Sequence, residues 1–146
     1  EYERAFLAVD GAFSWRGFTV GPGLELGSNL DDDTSPLNLF QLGGFSRLSG
    51  LGRGELLGKD SFLMRVFIYQ ELTEIVIASA RIRVVAGITL ETGNVFQDGD
   101  SITWDALRYG GSIFIGADTS AGPVRLAWGH TDGGRTRFAF SFGQSF

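Results

Sequence analysis

The last ten residues, Arg137-Phe138-Ala139-Phe140-Ser141-Phe142-Gly143-Gln144-Ser145-Phe146, put phenylalanine at 138, 140, 142 and 146 and small or polar residues between them. A β-strand has a side-chain period of two, so these rings share one side of the ribbon. A soluble strand rarely carries four Phe on one face at an open terminus, whereas a strand facing lipid does. The pattern predicts an all-β protein, an antiparallel transmembrane β-barrel, and the rest of the chain can be read against that expectation.

The 146 residues suffice for one domain, 1–146. No stretch approaches the roughly 20 apolar residues of a membrane helix. Barrel strands need only about 9–11 residues each, alternately apolar, so near-neutral hydropathy is compatible with them. Glycine is abundant at 22 residues and proline scarce at 3, as suits tight turns and crowded strand interiors. The absence of cysteine fits a chain that crosses an oxidising periplasm without disulfide chemistry. A net charge of −5 with dispersed basic residues argues against nucleic-acid binding. Glu1-Tyr2-Glu3-Arg4 reads as mid-protein, so a mature form or a fragment is expected.

Eight segments alternate: residues 2–13, 17–27, 36–43, 61–72, 81–91, 108–118, 123–130 and the terminal Phe strand. The fifth is clearest. Ile82, Val84, Ala86, Ile88 and Leu90 face one way, and Arg81, Arg83, Val85, Gly87, Thr89 and Glu91 the other. A one-residue slip would aim Arg81 and Arg83 at lipid, at about 2–4 kcal/mol each near the midplane. An even strand count places both chain ends on one side, with links 29–35, 73–74 and 119–122. Links 14–16, 44–60, 94–107 and 131–134 then fall on the other, giving short periplasmic turns and long external loops.

A soluble barrel or sandwich would show the same alternation with its apolar face inward, and periodicity alone leaves the inner face open. The Phe ladder, the Gly- and Ser-rich opposite faces and the charges on them favour lipid outside. Arg65, Arg81, Arg83, Arg108 and Arg125 are then expected to face a lumen with Glu25, Glu91 and Asp118. His130, the single histidine, could pair with Ser101, Ser120 or Asp132 at a rim, but an exposed loop histidine is the better reading. Asp31-Asp32-Asp33 could hold a hard cation but reads better as a solvated turn. Trp15, Phe18, Trp104, Tyr109 and Trp128 read as interfacial aromatics. No catalytic, cofactor or metal residue is assigned.

Residues 39–51, Leu-Phe-Gln-Leu-Gly-Gly-Phe-Ser-Arg-Leu-Ser-Gly-Leu, followed by Gly54-Glu55-Leu56-Leu57-Gly58, resemble the bacterial surface antigen superfamily of outer-membrane assembly factors and two-partner secretion transporters. The wording is most similar to the branch fused to patatin phospholipases, as is the ending from Gly122-Pro123-Val124-Arg125-Leu126 onward. The resemblance implies a long loop, 44–60, folded into the lumen with its tip at Arg47, Leu48, Ser49, Gly50 and Leu51. It also implies a strand acid, matched by Glu91 in Glu91-Thr92-Gly93, that meets a tip arginine. Here Ser49 stands at the arginine's place, so the usual ion pair cannot form, and Arg47 or Arg53 is the available substitute. Arg83 and Arg65 are the expected lumen partners beside Glu91. Phe138, Phe140, Phe142 and Phe146 resemble the terminal signal read by the outer-membrane barrel assembly machinery. Relatives have sixteen strands, of which this chain resembles the last eight. No Gly-x-Ser-x-Gly patatin nucleophile is present.

The expected function is therefore a non-enzymatic translocator and anchor in a bacterial outer membrane, serving a fused or partner passenger protein. The eight strands would close on themselves, join a second copy as a homodimer, or form half of a sixteen-stranded barrel. The alternative is a stand-alone eight-stranded surface protein.

Overall fold

The structure, a computed structural model, describes residues 3–30, 38–77, 80–97 and 100–143. Its strands are β1 (Arg4–Asp10), β2 (Phe13–Trp15), β3 (Phe18–Asn29), β4 (Phe40–Leu42), β5 (Leu56–Gly58), β6 (Asp60–Ile77), β7 (Ala80–Phe96), β8 (Arg108–Thr119), β9 (Gly122–Thr131) and β10 (Arg135–Phe142). One 3-10 turn, Trp104–Ala106, precedes β8, and the described residues contain no α-helix. Eight strands form one antiparallel sheet in the order β1-β3-β6-β7-β8-β9-β10, with β2 also on β3. Among the described residues β1 and β10 do not pair, so the sheet is open.

The expected number of strands is present, but two are distributed differently. The segment 36–43 is not a stave of the sheet. Its described part supplies β4, which pairs with β5 in a separate two-stranded ribbon at the base of the long loop. The first segment instead divides at Gly11–Ala12, and β1 and β2 lie end to end along β3. The sheet is thus seven strand positions wide. Each position reverses the last, so β1 and β10 run parallel and the described chain begins and finishes at opposite ends of the sheet. This corrects the expectation of both ends on one side. The turns at 16–17 and 120–121 and the tip of the β6–β7 hairpin share one end with Gly143. The long loop, the 97–107 link and the 132–134 turn share the other with Glu3.

The expected turn at Thr73–Glu74 is likewise not a turn. A bulge between Glu71 and Thr73 shifts the register and β6 runs on to Ile77. The shift keeps Glu74 opposite Arg83 and Ile75 opposite Ile82 despite the extra residue.

Register settles the two faces. Phe13, Val20, Ile68, Ile88, Ile113, Trp128 and Phe138 form one row across the sheet. This apolar side is the uncovered one: Ile113 is 56 % exposed, Trp128 45 % and Phe138 76 %. The opposite side carries the charged and hydroxyl residues and is buried at the centre of the sheet, where Thr89 is 1 % exposed, Glu91 4 % and Arg125 4 %. A soluble sandwich has the reverse arrangement. Asp31–Asp33 and Phe146 lie outside the described residues.

The apolar packing that exists is on the polar side, where Phe67, Val85, Phe114 and Ala127 form a small cluster with Phe45 of the loop against it. The three rings meet edge to face, with centroids 5.7 Å apart for Phe45–Phe114, 6.4 Å for Phe45–Phe67 and 6.3 Å for Phe67–Phe114. Phe114→Ala should cost about 3–5 kcal/mol in denaturant unfolding from detergent, because nothing replaces a ring removed from a closed cluster. Phe138→Ala, whose ring touches little of the protein, should cost far less by the same measurement.

Candidate functional site: a loop docked on the buried face

Residues 43–55 leave the β4–β5 ribbon and fold back over the charged face. Two local turns shape the tip: the Arg47 amide donates to the Gly44 carbonyl at 3.0 Å and the Leu51 amide to the Leu48 carbonyl at 2.9 Å. The Ser46 amide donates to Ser49 Oγ at 3.0 Å. Ser46 at φ 62° and Leu48 at φ 71° adopt left-handed backbone, which costs a residue with a side chain about 1–2 kcal/mol. The docked contacts must exceed that cost. Leu48, Ser49 and Leu51 are buried, at 0 %, 2 % and 1 % exposure.

The contact at the centre is with Glu91 on β7. Its carboxylate accepts the Ser49 amide at 2.6 Å and Ser49 Oγ at 2.5 Å. It also accepts the Thr89 hydroxyl, which is joined to Ser112 Oγ at 2.8 Å. The Gly50 amide donates to Thr131 Oγ1 of β9 at 2.9 Å. A buried carboxylate accepting several donors is satisfied without a cation, and charge-assisted bonds of this kind are roughly twice as strong as neutral ones. Glu91 and the loop tip therefore meet through hydrogen bonds from Ser49, with no ion pair between them.

Glycine makes the socket. A Cβ on Gly129 would lie 2.3 Å from Ser49 Cβ, and one on Gly50 would lie 2.2 Å from the Thr131 nitrogen. Neither position tolerates a side chain while the tip is docked.

Two ion pairs extend the contact sideways. Arg47 reaches Glu25 of β3 at 2.7 Å, and Glu55 pairs with Arg135 of β10. Five strand spacings of about 4.8 Å separate β3 from β10, and the loop from Arg47 to Glu55 is folded into tight turns that reach much less than an extended chain, so the sheet curls around the loop. The loop is a cross-brace between distant strands.

The other sequence-nominated residues divide. Arg65 lies on the same face but pairs with Glu25 and Asp10, each at 2.9 Å, and not with the tip. Arg83 pairs elsewhere, sharing Asp118 with Arg125 at 3.6 and 2.5 Å beside a cavity of about 380 Å³ near the short-turn end. Arg81 pairs with Glu74 at 3.5 Å. His130 is on the apolar face with Nδ1 3.0 Å from Thr136 Oγ1, and Ser120 is at the opposite end of the sheet. Phe138, Phe140 and Phe142 are exposed side by side on β10. Trp15 and Phe18 flank one turn and Trp104 and Tyr109 the other end, while Trp128 is in mid-strand. Sequence reading missed the pairing of Arg47 with Glu25 and of Glu55 with Arg135, since neither spacing nor periodicity relates a loop residue to a distant strand. Among the described residues no cluster of acidic, histidine or cysteine side chains could hold a metal ion.

Glu91→Gln should weaken docking by about 1.5–3 kcal/mol by replacing a charged acceptor. The readout is faster tryptic cleavage after Arg47 and Arg53 with unchanged far-UV dichroism. Gly129→Ala should give the same phenotype by steric exclusion of Ser49, at about 1–3 kcal/mol. No protein-family model matches this chain, and neither curated proteins nor solved structures are detectably similar to it, so the functional reading stands on this geometry.

Proposed function

We propose that this chain is a transmembrane β-barrel segment of a bacterial outer membrane and acts as translocator and anchor for a fused or partner passenger, with the docked loop as its internal plug. The observation that carries the reading is the inverted packing: a sheet-wide apolar face left uncovered, and a charged face closed by the loop. An uncovered apolar face this broad is far beyond what soluble monomers expose. Lipid covers it at no cost in hydrogen bonds, because each inner strand pairs on both sides. Strands of 12, 12 and 10 residues in β3, β8 and β9 match the length needed to cross.

The open edges shape the proposal further. Since β1 and β10 run parallel, joining them, or joining two copies about an axis along the strands, makes parallel seams. Antiparallel closure takes an odd number of added strands. The sixteen strands of the bacterial surface antigen superfamily, which the loop and terminal segments resemble, would leave nine to be supplied. That favours half of a larger barrel over the stand-alone eight-stranded surface protein. The Phe138, Phe140 and Phe142 ladder fits a segment handed to the barrel assembly machinery.

Two measurements test this. In vesicles whose acyl chains carry bromine, Trp128 emission should be quenched in a variant with Trp15 and Trp104 replaced by Phe; unquenched emission from reconstituted protein sinks the lipid-facing assignment. Ile113→Arg should lower stability in the same vesicles by about 2–4 kcal/mol. For the translocator role, Glu91→Ala should reduce surface delivery of a fused passenger while the barrel still inserts. Unchanged delivery would return the protein to the structural alternative.

A further inference from the structure

Asp10, Arg65, Glu25 and Arg47 form a chain of alternating charge from the edge of the sheet to the loop. Arg65 of β6 reaches Asp10 of β1 with one guanidinium nitrogen and Glu25 of β3 with the other, both at 2.9 Å. Glu25 then takes Arg47 of the loop at 2.7 Å. Asp10, Gly23 and Arg65 share one row of the register, so the two charged side chains meet across β3 over a residue that has none. A Cβ at Gly23 would lie 2.5 Å from Asp10 Oδ1 and 2.9 Å from Arg65 Nε. The glycine is a window between the edge strand and the interior.

Burial orders the chain. The middle pair is enclosed, with side-chain exposure of 11 % for Arg65 and 7 % for Glu25, and the ends are open, with 46 % for Asp10 and 37 % for Arg47. Two carboxylates balance two guanidinium groups. When Asp10 is removed, two cations share one buried carboxylate, and the repulsion between them is strong in a poorly solvated site. Arg65 is held within the central strands, so Arg47, on the loop and half in solvent, is the group that leaves. Asp10 lies on the strand whose outer edge is unpaired among the described residues and whose one ladder partner there is β3.

We propose that this relay couples the β1 edge to the loop: parting β1 from β3 loosens the arm of the loop that carries Arg47, and docking of Arg47 in turn holds β1 in place. Coupling between two sites is reciprocal, so each event biases the other by the same factor. The inference concerns the folded chain and is independent of the membrane reading.

The chain contains no cysteine, so Leu51→Cys, at a position 1 % exposed, gives a single buried reporter on the loop. Maleimide labelling of the full folded chain in detergent micelles then reports undocking. Asp10→Asn should speed labelling about fivefold or more, and Gly23→Ala should do the same by forcing Asp10 and Arg65 apart. Glu74→Gln, which removes an ion pair outside the relay, should leave the rate unchanged. In an Arg47→Gln background, Asp10→Asn should add nothing further. Rates unaffected by both Asp10→Asn and Gly23→Ala, or an increase of equal size with and without Arg47, would overturn the relay.

Discussion

One buried carboxylate organises the interior of this molecule. Glu91 is placed by register on the enclosed face of β7 and is out of water. An ionised group in that position is costly until donors surround it. Ser49 supplies two from the loop tip and Thr89 a third from the same strand. The contact fixes the tip against the centre of the sheet. The aromatic trio, the Gly129 socket and the pairing of Glu55 with Arg135 all follow the path that the docked tip defines.

The loop in turn explains how a polar sheet face can be the buried one. A sheet normally buries its apolar side because water is expelled from it. Here the polar side is covered by a segment that brings matching donors and acceptors, and small residues let the backbone approach closely. Among the described residues the apolar side has nothing folded over it. The two faces are complementary consequences of one arrangement. The strained backbone at Ser46 and Leu48 marks where the loop is bent to fit.

Much of this was legible in the chain. The two faces of β7, the placing of Arg65, Arg81, Arg83 and Arg125 on the charged side of the sheet with Glu25 and Asp118, and the face of Glu91 follow from a period of two, which is a local property. The segment 36–43 and the turn at Thr73–Glu74 were misplaced for a common reason. Alternation marks an extended ribbon without saying what it pairs with, and a bulge inserts a residue that periodicity reads as a break. The parity of the sheet, and with it the parallel course of β1 and β10, changed as a result.

The loop shows where sequence stops. Nothing local to Ser49 says that its hydroxyl and amide would meet the acid. Nor does it say that Gly129 would open the socket or that Arg47 would turn to Glu25. The sequence by itself determined the strand character, the segregation of charge from apolar surface and the face that carries Glu91, because strand geometry ties each residue to its neighbours two positions away. Only the tertiary structure decided which face is covered, where the tip docks and how the edges run. Those depend on contacts between residues as many as 81 positions apart, as between Gly50 and Thr131, which exist only once the sheet has curled around the loop.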